Sequence, residues 1–274
     1  MALFDAYIFI DWSAANKPAP IGPGVNQVWI GERIPPNSAN ETSYRTRYEG
    51  VSSLTCRLLE HIKNRHRVLV GFDFPYGYPS GLNRALRLPV GPQSWRAVWK
   101  YLAKNVQDNV LNVNNRFVVA GQLNTLAGGT NSGPFWGCPV GAGIANLQPF
   151  SPGFSFNAMR GVSLERLRIV ETRLPGIQEA WKLFGRGSVG GQALVGIPYL
   201  YMLRHHLGLN MFSKVWPFET QFVTSPSPGQ GPFILHAEIW PGVVRLNALA
   251  LMAANPGLVP DQAQVRAMCE WAAN

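Results

Sequence analysis

The sequence predicts an α/β protein built on strands that end in carboxylates. Two short runs, Tyr7-Ile-Phe-Ile-Asp11 and Arg67-Val-Leu-Val-Gly-Phe-Asp73, are rich in β-branched and aromatic residues and read as buried strands. Each delivers one acid at its end, Asp11 and Asp73. The order between them is strand, strand, helix, so the first seventy residues read as strand, strand, strand, helix, strand. A third apolar run, Phe233-Ile-Leu-His-Ala-Glu-Ile-Trp-Pro-Gly242, carries Glu238 near its C-terminal end.

Residues 7–11 form the first predicted strand. The turn after it, Ala14 to Gly24, is dense in proline and glycine. Asn26 to Gly31 reads as a second strand and Thr42 to Tyr48 alternates as a third, with a loop from Gly31 to Asn40 between them. Ser52 to Asn64 places apolar residues at 54, 58, 59 and 62, a helical stripe. Ser52 or Ser53 is its expected N-cap, and Lys63 and Arg65 suit the negative end of its dipole. The strand ending at Asp73 follows directly.

From residue 76 to 210 the pattern loosens. Gly77 to Gly81 is a turn, Gln93 to Ala103 is helical, and Asn112 to Asn124 opens another helix. Residues 127–157 are crowded with Gly, Pro and Phe and read as a long loop held by its own aromatic contacts. Ser163 to Arg173 mixes periods. Gly185, Gly187 and Gly190 spell out GxGxxG. A dinucleotide fingerprint joins a strand to a helix and has an acid about 20 residues further on. Neither is found here. What the glycines do predict is a helix over 192–203 preceded by free backbone amides, where Ser188, Gly190 and Gly191 favour an anionic group.

The last third returns to strands. Lys214 to Thr220 places Glu219 after a short apolar stretch, and a connection broken by prolines and glycines leads to the strand carrying Glu238. Val243 to Ala254 and Asp261 to Ala273 read as helices, the second with Asp261 as its N-cap. The whole reads as a single domain over 1–274, with 76–210 inserted as a helical, loop-rich segment.

Composition narrows the function classes. With 274 residues and 46% hydrophobic content, the chain is long enough for a large core. Its apolar runs fall short of the roughly 18 or more residues of a membrane span. The N-terminus lacks a basic region followed by a long apolar core, so a cytoplasmic location is expected. Cys56, Cys138 and Cys269 are far apart and form no CxxC pair, which argues against a disulfide framework or a structural zinc site. The net charge of +9 comes mostly from arginine, the residue suited to bidentate phosphate contacts. A nucleic acid or a nucleotide is therefore the expected partner.

A carboxylate at the mouth of a buried strand is costly unless a positive group sits beside it. Adjacent strands lie about 5 Å apart, so Asp11, Asp73 and Glu238 can converge on one metal-sized site. Carboxylate oxygens suit Mg²⁺ or Mn²⁺, which keep waters free for a substrate phosphate. Glu60 and Glu219 are weaker candidates for the same cluster. His61 and His66 flank a helix end, and His205 and His206 close another, positions that a helix dipole explains. His236 shares a strand face with Glu238 and reads either as a proton shuttle or as a core histidine. No serine sits in a GxSxG frame.

With these residues in view, the pattern resembles the ribonuclease H-like superfamily, and within it an uncharacterised bacterial family of predicted nucleases. The matching pieces are Ile10-Asp-Trp-Ser13, Gly71-Phe-Asp-Phe-Pro75 and Ala237-Glu-Ile-Trp-Pro241, which together span most of the chain. The resemblance implies a mixed sheet of three antiparallel leading strands followed by parallel strands, flanked by helices, with the long insertion before the last core strand. It also implies a divalent metal held by Asp11 and Asp73, and a further acid on the C-terminal helix, where this chain offers Asp261 and Glu270. The sequence is similar, too, to bacterial proteins labelled as cobalamin or molybdopterin-guanine-dinucleotide biosynthesis proteins. The expected function is a Mg²⁺- or Mn²⁺-dependent phosphodiester hydrolase. Its site is catalytic Asp11, Asp73 and Glu238, with Arg116, Ser188, Gly190 and Gly191 on the substrate phosphate. The alternative is a non-catalytic nucleic-acid or nucleotide-binding protein on the same scaffold. An actin-like phosphotransferase would need a second acid-ended βββαβ unit, which the chain lacks.

Overall fold

The apolar runs form six strands in the computed structural model of the protein, which describes residues 3–24, 26–128, 133–151, 153–156 and 163–274. The strands are β1 (Ala6–Asp11), β2 (Val28–Arg33), β3 (Asn40–Tyr44), β4 (Arg67–Phe72), β5 (Ser213–Trp216) and β6 (Phe233–Glu238). The helices are α1 (Arg47–Lys63), α2 (Leu82–Ala85), α3 (Ser94–Asn105), α4 (Arg116–Leu126), α5 (Ile169–Arg173), α6 (Val189–His205), α7 (Arg245–Ala254) and α8 (Pro260–Ala272). A turn of 3₁₀ helix, Pro241–Val244, leads into α7. Within the loop predicted over 127–157, residues 129–132, 152 and 157 lie outside the described residues. Among the described residues no helix is long and apolar enough to cross a membrane.

The fold is α/β, with one mixed sheet in the order β3-β2-β1-β4-β6-β5. The three leading strands pair antiparallel, Phe9 opposite Gly31 and Ile30 opposite Thr42. From β1 onward the sheet is parallel: β1 pairs with β4, β4 with β6, and β6 with β5 at the edge. The chain divides into two compact units. The first, Met1–Asp73 with Asn109–Val113 and Met202–Asn274, carries all six strands. The second, Phe74–Asp108 with Asn114–Tyr201, is helical and loop-rich.

In the first unit, period-two alternation assigns each face of the sheet. Tyr7, Phe9, Leu69, Phe233 and Leu235 turn toward α7 and α8 and join Val244, Ala248, Ala263, Ala267 and Met268 in one apolar core. Ile8, Ile10, Val68, Val70 and Phe72 alternate with them, fully buried on the other face. Helix α1 packs against β2, β3 and β4. The helix begins earlier than expected, its cap six residues before Ser52 and seven before Ser53. Thr46 caps it, with a reciprocal capping box to Glu49 that the apolar stripe, counted from Leu54, does not reveal. Helix α8 likewise starts earlier than predicted, because Pro260 takes the first helical position with its φ already helical. Val259 is the N-cap and Asp261 falls inside the first turn.

Two details of the first unit fix its geometry. Arg47 is fully buried and donates to the carbonyls of Ser13 (2.9 Å), Ala15 (2.7 Å) and Asn112 (3.0 Å). It thereby clamps the turn that follows β1. Asn112 has a left-handed φ of 67°, and its Oδ1 accepts from the Arg47 amide at 2.9 Å, so the predicted helix starts at Arg116 rather than at 112. Gly31 is the second. A Cβ there would lie 2.9 Å from the Val265 carbonyl oxygen and 3.0 Å from its Cβ. Only a glycine lets α8 come this close to β2.

The second unit holds its loops by polar and aromatic contacts. The Asn124 side chain donates to Phe135 O (2.9 Å) and Asn146 O (2.8 Å) and accepts from Phe135 N (3.0 Å). Trp181 meets Phe135 edge to face at 5.0 Å and stacks on Tyr78 at 5.6 Å.

Replacing Gly31 by alanine forces α8 away from the sheet. The expected outcome is a loss of about 1–3 kcal/mol of stability, read as a lower midpoint in urea unfolding, and an unchanged midpoint would refute the close approach.

Candidate functional site

The geometry of the sheet gathers acids at the C-terminal ends of β1 and β4. Alternation along β1 sets Asp11 on the face of Tyr7 and Phe9, which α8 covers. Asp73 follows β4 directly. Its amide donates to Ile10 O at 3.3 Å, and its Oδ1 accepts from the Trp12 amide at 2.8 Å. The Asp73 carboxylate therefore fastens the end of β1 just where Asp11 leaves it. Trp12 is buried behind this turn and meets Phe72 edge to face at 5.4 Å.

Asp261 completes the group. Burial holds the Asp11 carboxyl well above the usual carboxylate range, and the charges of Asp73 and Asp261 push it in the same direction. Burial raises Asp261 as well. Three carboxylates from β1, the end of β4 and the first turn of α8 thus share one electrostatic site. No base or cation is needed to explain the shift: like charges in a desolvated place disfavour joint ionisation. Glu270, the other acid available on α8, is committed elsewhere. It pairs with Arg33 and accepts from the Ala39 amide at 2.9 Å.

The predicted partners of Asp11 fare differently. In the register of β4 and β6, Glu238 lies opposite Phe72. It follows Ile234 and His236 in alternation, on the face opposite to Asp11. The charges of Asp73 and Asp261 therefore reach Asp11, while Glu238 lies on the opposite face of the sheet. His236 is fully buried, its Nε2 lies 3.3 Å from Ser213 Oγ, and burial followed by the charge of Arg204 lowers its pKa to about 3. Such a ring stays neutral, and its burial keeps it from shuttling protons with solvent. Glu219 forms a bidentate pair with Arg204, both bonds at 2.8 Å, and Glu60 pairs with Lys63.

Arg116, Ser188, Gly190 and Gly191 belong to the second unit. Arg116 is buried at the start of α4, bonded to Asn114 Oδ1 at 2.9 Å and lying 4.3 Å from the centre of the Phe117 ring. The amides expected to be free at the start of α6 are in use. Gly190 N donates to Lys182 O (3.0 Å) and Gly191 N to Ser188 O (3.1 Å). Close packing accounts for the glycines: a Cβ at Gly190 would sit 2.2 Å from Ala180 O, and one at Gly191 2.4 Å from Leu183 O.

Sequence reasoning took Asp261 for a helix cap and named it, beside Glu270, only as an acid available to the C-terminal helix position that the family resemblance implies. The signal that could have found it is Pro260 beside it, which moves the helix start back and frees the Asp side chain from capping. Carboxylate oxygens are the donors a hard divalent cation takes, and a cation among three of them would offset the repulsion that raises Asp11. Among the described residues, however, no group of three or more His, Cys, Asp or Glu side chains is placed so that it could hold a metal ion.

Comparison with family models, curated proteins and solved structures found no match to this chain.

A carboxyl with a raised pKa binds its proton more tightly in the folded than in the unfolded chain. Its contribution to stability is complete below the ordinary value of 3.8 and is lost as pH rises through the folded value. In metal-free protein, Asp11→Asn removes that loss. The variant is expected to melt a few degrees higher than the parent at pH 7 in chelator and to lose the advantage near pH 3. A lower melting temperature at pH 7 would contradict the crowding of charge at Asp11.

Proposed function

We propose that the protein is a divalent-metal-dependent phosphodiester hydrolase on a ribonuclease H-like scaffold, acting on nucleic acid or a nucleotide. The observation that carries this reading is the convergence of the Asp11, Asp73 and Asp261 charges at the ends of β1 and β4 and the start of α8. The strand order, three antiparallel strands followed by parallel ones, agrees with that scaffold.

Asp11 and Asp73 would hold Mg²⁺ or Mn²⁺, with Asp261 as the third carboxylate in place of Glu238. When bound, such an ion polarises a phosphoryl oxygen and lowers the pKa of its water. The chain's own part is positional. Arg47 fixes the turn after Asp11, the Trp12 amide orients the Asp73 carboxylate, and Gly31 admits α8 to bring Asp261 into range. The net charge of +9 favours approach of a polyanionic substrate.

Hydrolysis of single- and double-stranded DNA, RNA and a nucleotide panel with Mn²⁺ or Mg²⁺ tests the reading. Asp11→Asn, Asp73→Asn and Asp261→Asn are each expected to lower the rate by at least about 100-fold. Glu238→Gln is expected to leave most of it. Unchanged rates in the three Asn variants would remove the site assignment.

A second reading rests on the Asp73 carboxylate, which is already bonded to the Trp12 amide. Without a set of ligands in place, the same basic scaffold would bind nucleic acid or nucleotides and leave them intact. Oligonucleotide affinity should then fall steeply with salt while no product forms in any metal, and salt-independent binding would exclude it.

A further inference from the structure

The basic excess of the chain is concentrated in one of its two units. The second unit, Phe74–Asp108 with Asn114–Tyr201, contains twelve Lys and Arg against four Asp and Glu, a net charge of +8. The first unit contains twelve against eleven and is nearly neutral. Three of the four acids in the second unit are engaged. Glu179 pairs with Arg166 at 3.0 Å, Glu171 pairs with Arg168 at 2.7 Å, and Asp108 accepts from the Tyr199 hydroxyl at 3.1 Å. Among the described residues, Arg84, Arg87, Lys100, Lys104, Arg173 and Arg186 are exposed, and none of the six forms an ion pair.

The excess is densest from residue 74 to 107, where five Lys and Arg occur and no acid. Helix α3 carries three of them, Arg96, Lys100 and Lys104, four residues apart and so on one face. The opposite face is buried through Trp95, Val98, Trp99 and Leu102. The Arg96 guanidinium lies 5.0 Å from the centre of the Trp95 ring. Helix α2, which holds Arg84 and is followed by Arg87, is tied to the start of α3 by Asn83, whose Nδ2 donates to Ser94 O at 2.6 Å. Like charges one turn apart work against a helix, and an ordinary solvated face mixes signs. Helix α3 has no acid with which to do so. Four residues of helix rise about 6 Å, so the cations stand in a row at an interval near that of neighbouring phosphates along an extended strand.

We propose that the second unit binds polynucleotides, with the α3 face of Arg96, Lys100 and Lys104 lying along the phosphates of a single strand. The proposal rests on the reading above for its class of partner and narrows it, from nucleic acid or nucleotide to a chain of several nucleotides. A row of charges gains with each further phosphate, whereas a mononucleotide meets one end of it. Mobile ammonium groups suit contacts that follow the backbone without reading bases. An anionic membrane would meet the same charges. Helix α3, however, has its apolar face packed inside the unit and none left to enter a bilayer interface.

The test is fluorescence anisotropy of a labelled oligothymidylate of about 16 nucleotides, the upper site size of a single-strand-binding fold. It is titrated with the full chain in EDTA over a range of salt. Lys100→Gln with Lys104→Gln should weaken binding at least about tenfold and lower the slope of log affinity on log salt by about 1.4, roughly 0.7 for each phosphate released. A charge-matched control, Lys63→Gln with Lys214→Gln, removes two exposed lysines of the first unit and should leave the slope unchanged. Excess thymidine monophosphate should not displace the strand. An unchanged slope in the α3 variant, an equal loss in the control, displacement by the monophosphate, or tighter binding to phosphatidylserine vesicles than to the strand would each overturn the proposal. The readout is binding without metal, so it does not depend on the carboxylates. Strand binding with no hydrolysis in Mn²⁺ would remove the hydrolase reading alone, and hydrolysis of nucleotides with no strand binding would remove this one alone.

Discussion

The close approach of α8 to β2 over Gly31 is the contact on which the candidate site depends. Helix and strand cannot come this near if the strand residue bears a Cβ, because the Val265 backbone occupies that space. The helix is then held from its flank. Arg266 forms a bidentate pair with Glu41 at 2.6 Å for each bond, and Arg33 bonds the Glu270 carbonyl at 3.1 Å. These pairs join α8 to β3 and β2, so the first turn of the helix is fixed relative to the end of β1. A site of three carboxylates needs such a frame, because mutual repulsion would otherwise push the most mobile element away.

Repulsion also explains how this site differs from the other acids of the chain. Asp5, Glu32, Glu41, Glu171, Glu219 and Glu270 each meet an arginine. With few acids and many arginines available, pairing is the ordinary outcome in this protein. Asp11 is raised by burial and by two further acids, and no arginine figures among the causes of its shift. Folding stability is being spent at one place, which is where function is commonly found.

Much of this was legible in the residues. The β-branched runs ending at Asp11 and Asp73 marked two neighbouring parallel strands, and the strand, strand, strand, helix, strand order survived in the sheet. Legibility failed where a three-dimensional relation decides. Glu238 ends a strand as Asp11 does, but the register opposite Phe72 turns it to the other face, and a one-residue difference in register reverses a side chain. Asp261 looked like a cap because the stripe of α8 begins after it, while Pro260 had already started the helix. The glycines at 190 and 191 looked like an anion cradle because the carbonyls that take up their amides, those of Lys182 and Ser188, can be assigned only from coordinates. His61 and His66 were explained by the helix dipole, since their facing nitrogens depend on a left-handed residue at Arg65 that no periodicity reports.

The sheet keeps the carboxylates and the His61–His66 pair apart, and the separation has a chemical consequence. His66 precedes β4 and Asp73 follows it, so the strand of six residues places them about 20 Å from each other. At that distance the charges of one group barely alter the other across solvent. Carboxylate oxygens repel one another until a hard cation joins them, so they raise their own pKa values when empty. The imidazoles instead satisfy each other through one shared hydrogen bond. Like charge in a desolvated place is thus gathered at one end of β4 only, while at the other end each polar ring meets a partner, His61 a carboxylate and His66 the ring of His61.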